Sequence, residues 1–454
     1  MRIAGRTNRA FVFTGLILMA LATCLLGELP QFTMGTNYDA TRTSVLEVIF
    51  ADLNGDNFLD MIATTTRDQY NALIYINRGD GTFMPPDNYG ADYAPHAVCA
   101  ADLDGDNDLD LALPGLLSNN VKILLNNGDG TFADYGVYSV GVRPTGVEAV
   151  DLDGDTFLDL AIVNDHSDNM SILMNNGDGT FQDKVDYATG IWPEHVRAVD
   201  VNHDNYYDLV VPNRSSGDVS VFIGNSDGSL QPAVNYYIDG RPEYIVSADF
   251  DGDNDFDLAV AREGLNSVSL MLNNGDGTFA LDANYEVGQY PVCIVGADIN
   301  IDGILDLVVA NSSYAHGSIS ILEGNSDGTF NETVNYEDFF YPWSVCGGDI
   351  DNDGDIDLAI GKSTGGIDIF INQFYANQLI ICGDANSDER VNVSDAVFLI
   401  NYVFSGGSAP EPYWIGEVNC DGLVNVSDAV YLINYVFSGG SAPCDTDGDF
   451  SPDC

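Results

Sequence analysis

The apolar positions of this chain come in short runs cut by acidic or glycine-rich turns, and the same order of runs keeps returning. In one stretch, Tyr244-Ile-Val-Ser-Ala248 leads into Asp249-Phe-Asp-Gly-Asp-Asn-Asp-Phe-Asp257. Leu258-Ala-Val260 follows, then Val268-Ser-Leu-Met-Leu272, then Asp276-Gly277 and a last run to Tyr285. Short runs rich in Val, Ile and aromatic residues, bounded by Gly, Asp and Asn, predict strands. Asp-Gly between two such runs predicts a hairpin. Each unit is therefore expected to hold four short antiparallel strands.

The period is regular. The leading Asp of the acidic turn falls at Asp52, Asp102, Asp151, Asp200, Asp249, Asp298 and Asp349, a spacing of 49 to 51 residues. A second signature lies between these turns: Arg78–Phe83, Asn127–Phe132, Asn176–Phe181, Ser226–Leu230, Asn274–Phe279 and Ser326–Phe330, each holding Asp-Gly. Proline stands seven residues before the leading Asp in six of the seven units (Pro95, Pro144, Pro193, Pro242, Pro291, Pro342), a position suited to a strand start. Four strands repeated seven times predict an all-β, seven-bladed β-propeller, an architecture that leaves few exposed sheet edges. In the last strands an aromatic or Leu is followed six places on by Tyr (Phe83/Tyr89, Phe132/Tyr138, Phe181/Tyr187, Leu230/Tyr236, Phe279/Tyr285, Phe330/Tyr336). The seventh unit, ending near Asn372, lacks this strand, whereas Phe32/Tyr38 has the spacing ahead of the first. Residues 31–38 are thus expected to complete the last blade and latch the ring.

The acidic turn is the candidate chemistry. In Asp102-Leu-Asp-Gly-Asp-Asn-Asp-Leu-Asp110, carboxylates at places one, three, five and nine fold inward around Gly105 and Asn107. Like charges about 4 Å apart repel by roughly 1 kcal/mol per pair in water and by several times that when partly desolvated. A hard cation relieves this, and Ca²⁺, which takes six to eight oxygens in flexible geometry, suits it best. The chain carries 70 Asp+Glu against 15 Lys+Arg, a formal net charge of −55, of which seven such ions would cancel 14. With 45% hydrophobic residues the acidity does not signal disorder. It does argue against nucleic acid and anionic membrane surfaces as partners, since both need a basic footprint.

Residues 1–27 read as an export signal: Arg2, Arg6 and Arg9 precede an apolar run from Ala10 to Ala22. Leu21-Ala-Thr-Cys24 loosely matches a lipoprotein box, so a lipid anchor at Cys24 and an uncleaved anchor stand beside ordinary cleavage. The expected location is secreted or on a bacterial cell surface. Cys99, Cys293 and Cys346 fall in predicted core strands as free thiols. Cys382, Cys420, Cys444 and Cys454 crowd the C-terminus, where export permits disulfides in any of three connectivities.

The motif Asp-x-Asp/Asn-x-Asp-x-x-x-Asp at this period, over residues 31–374, resembles FG-GAP/VCBS repeats, as in integrin α-chain propellers and bacterial secreted proteins. The resemblance implies Ca²⁺ in each turn on one face, with ligands often docking on the other. Its side-chain ligands would be Asp52, Asn54, Asp56 and Asp60; Asp102, Asp104, Asp106 and Asp110; Asp151, Asp153, Asp155 and Asp159; and Asp200, Asn202, Asp204 and Asp208. They continue with Asp249, Asp251, Asp253 and Asp257; Asp298, Asn300, Asp302 and Asp306; and Asp349, Asp351, Asp353 and Asp357. The sixth place is Asn or Gly except at Thr156, which suits a positive-φ bend. The fourth place departs from Gly at His203, Ile301 and Asn352.

After a linker at 375–381 the pattern changes. Val393–Pro410 recurs almost unchanged at Val426–Pro443, each copy an apolar helical segment that begins with Ser-Asp and ends at Gly-Gly. The loops before them offer Asp384, Asn386, Asp388, Asn392 and Asp395, then Glu417, Asn419, Asp421, Asn425 and Asp428, in EF-hand-like spacing. Residues 382–443 resemble a type I dockerin, with Glu389 in place of the usual Gly and Glu417 in place of the leading Asp. The resemblance implies a small α-helical module with one or two Ca²⁺, a cohesin-like scaffold partner, and Val393, Ser394, Val426 and Ser427 as contacts. The tail, 444–454, repeats the acidic spacing.

No serine-hydrolase elbow, HExxH or phosphate loop occurs. The five His (His96, His166, His195, His203, His316) are scattered over several repeats and read as loop or strand side chains. Eight residues before each leading Asp stand Ser44, Ala94, Arg143, Trp192, Arg241, Tyr290 and Tyr341, with His96, Glu194, Glu243 and Trp343 two further on. These gather Arg, Trp and Tyr at one rim opposite the turns. Arg143, Trp192, Arg241, Tyr290, Tyr341 and Trp343 are the candidate ligand rim, a setting for sugar or peptide recognition. The expected function is non-catalytic glycan or protein binding, with a polysaccharide lyase, a glycoside hydrolase or a structural adhesin as alternatives. Abundant Asp and Glu leave catalytic carboxylate pairs undecided.

Overall fold

The structure is a computed structural model that describes residues 32–38, 44–66, 71–91, 94–313 and 317–373, and in the C-terminal part 396–400, 402, 429–430 and 433. The chain divides into two units, Met1–Asn372 and Gln373–Cys454.

The described part of the first unit is seven four-stranded antiparallel sheets, the blades of a propeller. Six blades use four strands in chain order; the second, for example, pairs Cys99–Ala101, Asp110–Gly115, Asn120–Asn126 and Phe132–Ser139. The seventh takes Pro342–Gly348, Asp357–Lys362 and Ile367–Asn372 from one end of the chain and Phe32–Tyr38 from the other. Phe32 pairs with Asn372 and Tyr38 with Ile367, which is the expected latch. Four blades open their first strand on the repeated proline (Pro144, Pro242, Pro291, Pro342), while Pro95 and Pro193 make isolated bridges just ahead of theirs.

Burial follows strand rank. Second strands such as Asp159–Asn164 and Asp208–Asn213 are buried along their whole length, whereas fourth strands such as Val185–Ala188 are largely exposed. The apolar residues form seven clusters, each at a seam between adjacent blades: Ile62, Ile74, Leu111 and Leu124 meet between the first and second, for example. Every blade therefore buries both faces against neighbours, and closing the ring buries the last two. At about 25 cal/mol per Å² of apolar surface this is the main stabilising term.

Two repeated contacts, one aromatic and one a hydrogen bond, join neighbouring blades. The Tyr of each fourth strand meets the aromatic of the next blade edge-on: Tyr89–Phe132 at 5.4 Å, Tyr138–Phe181 at 5.2 Å, Tyr285–Phe330 at 5.1 Å. Tyr336–Phe32 at 5.8 Å and Tyr38–Phe83 at 5.5 Å carry the set across the latch. The Tyr38 hydroxyl also accepts the Phe83 N–H (2.8 Å). The second contact is an Asn at the end of the third strand. Asn126 Nδ2 donates to the Leu53 carbonyl of the preceding blade's turn (2.8 Å), and Asn77, Asn175, Asn273 and Asn372 do the same to Ile350, Leu103, Val201 and Ile299. Blades four and six carry Gly224 and Gly324 there, where a Cβ would collide with the Tyr207 and Leu305 carbonyls. Two seams thus lack this bond.

Candidate functional site

Because each acidic turn joins a first strand to a second, all seven lie on one face. The turn is held by its own leading Asp: Asp52 Oδ1 accepts the N–H of Gly55 (2.8 Å) and Oδ2 that of Asn57 (2.9 Å), and Asp102 and Asp151 repeat both bonds. The fourth and sixth places have positive φ in all seven turns, including His203 (60°), Ile301 (57°), Asn352 (64°) and Thr156 (78°). The non-glycine exceptions keep the backbone of the glycine turns. For branched Ile301 that conformation costs on the order of 1–3 kcal/mol.

The ninth Asp has a second task. Asp60 is fully buried; its Oδ2 accepts the Leu53 N–H (3.1 Å) and its Oδ1 the Asn77 N–H (2.8 Å). Asp110, Asp159, Asp208, Asp257, Asp306 and Asp357 bind the matching pairs in their own blades. This carboxylate ties the turn to the end of the third strand. Burial pushes six of the seven up to about 6 and Asp357 up to about 8, against the pull of the two backbone N–H groups.

Carboxylate oxygens of Asp102, Asp104 and Asp110 lie within 4.8 Å of one another, as do those of Asp151, Asp153 and Asp159, of Asp249, Asp251 and Asp257, and of Asp349, Asp351 and Asp353. The first, fourth and sixth blades have Asn54, Asn202 and Asn300 at the third place, which supply a neutral oxygen instead. Asp351 Oδ1 is buried with no hydrogen-bond partner. An all-oxygen donor set of this kind, with a buried acid oxygen left over, fits a hard divalent cation.

The other face is organised by a second register, repeated in six of the seven blades. Ala94, Arg143, Trp192, Arg241, Tyr290 and Tyr341 all have φ between 50° and 62°, each just before a proline. Their carbonyls accept N–H groups from Leu116, Asp165, Arg214, Glu263, Ser312 and Ser363 at the ends of the second strands, at 2.7–3.0 Å. Six residues of different chemistry thus share one left-handed backbone conformation at this rim.

Arg143, Trp192, Tyr290, Tyr341 and Trp343 line one cavity of about 480 Å³, with His96, Thr145, Asp165, Glu194, Arg214, Glu243 and Glu263. Arg241 does not line it; its guanidinium is exposed and faces Glu263 at 3.4 Å. Below lies a second cavity of about 250 Å³ along the ring axis, which shares His96, Thr145, Glu194, Glu243, Val292 and Trp343 with the mouth and reaches Glu47, Cys99, Glu148, His195 and Arg197. The shared residues form the neck.

Charges in the mouth are mostly paired. Arg143 meets Asp165 (3.3 Å). Arg214 lies between Glu243 and Glu263, the latter at 2.9 Å, and over the Trp192 ring at 5.8 Å. Trp192 stacks on His166, so this aromatic of the expected rim is already covered by its neighbours. Burial pushes Glu194 up to about 7 against the nearby Arg214, and holds Glu243 above the carboxylate range together with the charge of Glu194. Asp165, Arg214 and Glu263 escaped the sequence reading. Their signal was present, since they sit fourteen residues after leading Asp residues, in the same phase as the register before them.

Five segments, 52–113, 116–162, 151–211, 249–309 and 298–360, match the FG-GAP-like repeat, and together they span more than half the chain. The chain belongs to the FG-GAP-like repeat family. Residues 382–437 match the dockerin type I domain. A search of curated proteins returns no match. Among solved structures, BBS1N in complex with ARL6DN, soaked with lead, superposes with a TM-score of 0.55 at 14% identity, covering 75% of this chain and 96% of that one. A streptogramin B lyase gives 0.51 at 13%, covering 75% and 98%. A catalytically inactive virginiamycin B lyase from Staphylococcus aureus with quinupristin gives 0.50 at 13%, covering 75% and 99%. At these identities the likeness is one of fold.

In the dockerin region of this FG-GAP-like protein the two copies behave alike. Ala396 and Ala429 are buried, whereas Val397 and Val430 are 57% and 58% exposed, and Ile400 and Ile433 are 39% and 38% exposed. The loop ligands Asp384 to Asp428, the contacts Val393, Ser394, Val426 and Ser427, Cys24 with the export signal, and the four C-terminal cysteines lie outside the described residues. Cys99, Cys293 and Cys346 are free thiols, the last two buried. Among the described residues no helix is long and apolar enough to cross a membrane.

Proposed function

We propose that this FG-GAP-like propeller is an exported binding protein, tethered through its dockerin region to a cohesin-type scaffold, that holds a glycan or protein ligand in the mouth of the ring. The observation that carries this reading is the convergence of five rim residues from blades three, four, six and seven on one cavity, opposite the acidic turns. Tyr290 is 49% exposed there, a free aromatic beside paired Arg and carboxylate groups. Flat aromatic faces with flanking hydrogen-bonding groups suit a sugar ring or a peptide side chain. Ca²⁺ in the turns, about seven in the ring and one or two in the dockerin loops, would hold the scaffold of this site rather than contact the ligand. The test is capture by the full chain on a glycan array and from extracellular proteins. Binding lost in Tyr290→Ala and Trp343→Ala supports the reading, and capture indifferent to both contradicts it.

A second reading, a polysaccharide lyase or hydrolase, draws on Glu194. A carboxyl held near 7 in a cleft beside other acids has the character of a general acid. Release of oligosaccharides by the wild type, abolished in Glu194→Gln, would establish it.

A further inference from the structure

We propose that the mouth selects a protein ligand through a lysine side chain, with Glu194 at the neck as the counter-ion of its ammonium. The inference rests on the reading of the mouth as a binding site and names the chemistry of what enters.

The argument is one of charge balance. Four carboxylates face the mouth (Asp165, Glu194, Glu243, Glu263) against two guanidiniums, Arg143 and Arg214. Arg143 is matched by Asp165, and Arg214 by Glu243 and Glu263, with Arg241 reaching Glu263 from outside. Among the described residues Glu194 has no ion pair of its own: it feels the nearby Arg214, whose guanidinium is already shared by Glu243 and Glu263. Its carboxylate accepts no hydrogen bond from them, although it is half-buried and borders both cavities. A half-buried carboxyl at the neck with no hydrogen-bond or ion-pair partner of its own is a place where a ligand's cation can take over from water and the proton. The same excess of negative charge works against uronates, sulfated glycans and phosphorylated ligands.

Position and shape narrow the class. Glu194 lies at the neck with Trp343, so a group reaching it from solvent passes aromatic surface. A cation beside an aromatic face gains about 0.5–2 kcal/mol as it loses water. Lysine carries its charge on a narrow four-carbon stem, apolar until its tip, and can bridge from the wide mouth to the neck with its backbone left outside. An amino sugar bears its ammonium directly on the ring, which would have to enter the neck itself.

The experiment uses the full chain in Ca²⁺ and follows tryptophan fluorescence. Three probes are titrated: a blocked pentapeptide with a central lysine, the same peptide with that lysine acetylated, and a glucosamine tetramer. The lysine peptide is expected to bind at least about tenfold more tightly than its acetylated twin, the combined yield of an ion pair and a desolvated cation–π contact. In Glu194→Gln that gap should close to about twofold, with the melting temperature unchanged, since the substitution keeps the shape and removes an unpaired charge. Equal affinity for the two peptides, a gap unchanged in Glu194→Gln, or no binding by any probe overturns the proposal. A glucosamine tetramer that binds more tightly than the peptide overturns the choice of a protein ligand. If the proposal fails while an array ligand still depends on Trp343, only this inference falls. If no ligand depends on Trp343 or Tyr290, the binding reading falls with it.

Discussion

The two faces of the ring are built from the same repeat and treat it in opposite ways. On the turn face, seven copies keep almost the same nine residues, the same two positive-φ places and the same buried ninth Asp with its two backbone bonds. On the mouth face the backbone is just as regular, yet its side chains read Ala94, Arg143, Trp192, Arg241, Tyr290 and Tyr341. Uniform chemistry on a uniform frame is what a structural fastening needs. Varied chemistry on an equally uniform frame gives one asymmetric pocket at the centre of a symmetric ring, which is what recognition needs.

The largest effect that can break this contrast is removal of the Ca²⁺ proposed for the turns. Chelation should lower the melting temperature by about 10 °C or more, reversed by added Ca²⁺, because ions bound only by the folded ring stabilise it by mass action. An unmoved transition in a calorimeter would show that the turns are not cation sites. Next is the ninth carboxylate. Asp110→Ala leaves the buried N–H groups of Leu103 and Asn126 without an acceptor, and should cost about 3–5 kcal/mol in denaturant unfolding. Asn126→Ala should cost less, about 1–3 kcal/mol, since it removes bonds to the Leu53 and Leu109 carbonyls and makes that seam resemble the one at Gly224.

Acidity separates the faces in another way. Burial holds Asp110 near 6 when folded against 3.8 for the free group, so the unfolded chain ionises first and ionisation above pH 4 works against the fold. In chelator the melting temperature should therefore rise as pH falls from 7 to 5. In Ca²⁺ it should fall over the same range, because the ligand oxygens must stay ionised. The smallest effect on stability belongs to the mouth: Tyr290→Ala, at an exposed side chain, should stay within about 0.5 kcal/mol of the wild type by the same unfolding assay while weakening its ligand.

Much of the ring was legible because its signals are periodic. The 49–51-residue spacing gave the blade count, and the orphan Phe32/Tyr38 pair gave the latch, which the structure shows pairing with Ile367–Asn372. The turns that depart from Gly at His203, Ile301 and Asn352 keep the common backbone because the leading Asp and the φ pattern, not the glycine, define the bend. What stayed hidden depends on three-dimensional closure. Asn77, Asn126, Asn175 and Asn273 stand one place ahead of the Asp-Gly signatures and Asn372 at the end of the seventh unit, and only the adjoining blade reveals what their amides hold. Trp192 belongs to the expected rim, yet His166 and Arg214 lie on it, while Arg241 has the right register but meets Glu263 from outside the cavity. Aromatic identity can be read from sequence; which faces are already covered cannot.

The most direct test of this division of labour is ligand capture by the full chain carrying Tyr290→Ala and Trp343→Ala together, with its melting curve recorded in Ca²⁺ on the same sample. The account predicts capture abolished and a ring that still melts cooperatively within about 5 °C of wild type. Capture retained, or capture lost only because the ring melts, would contradict it.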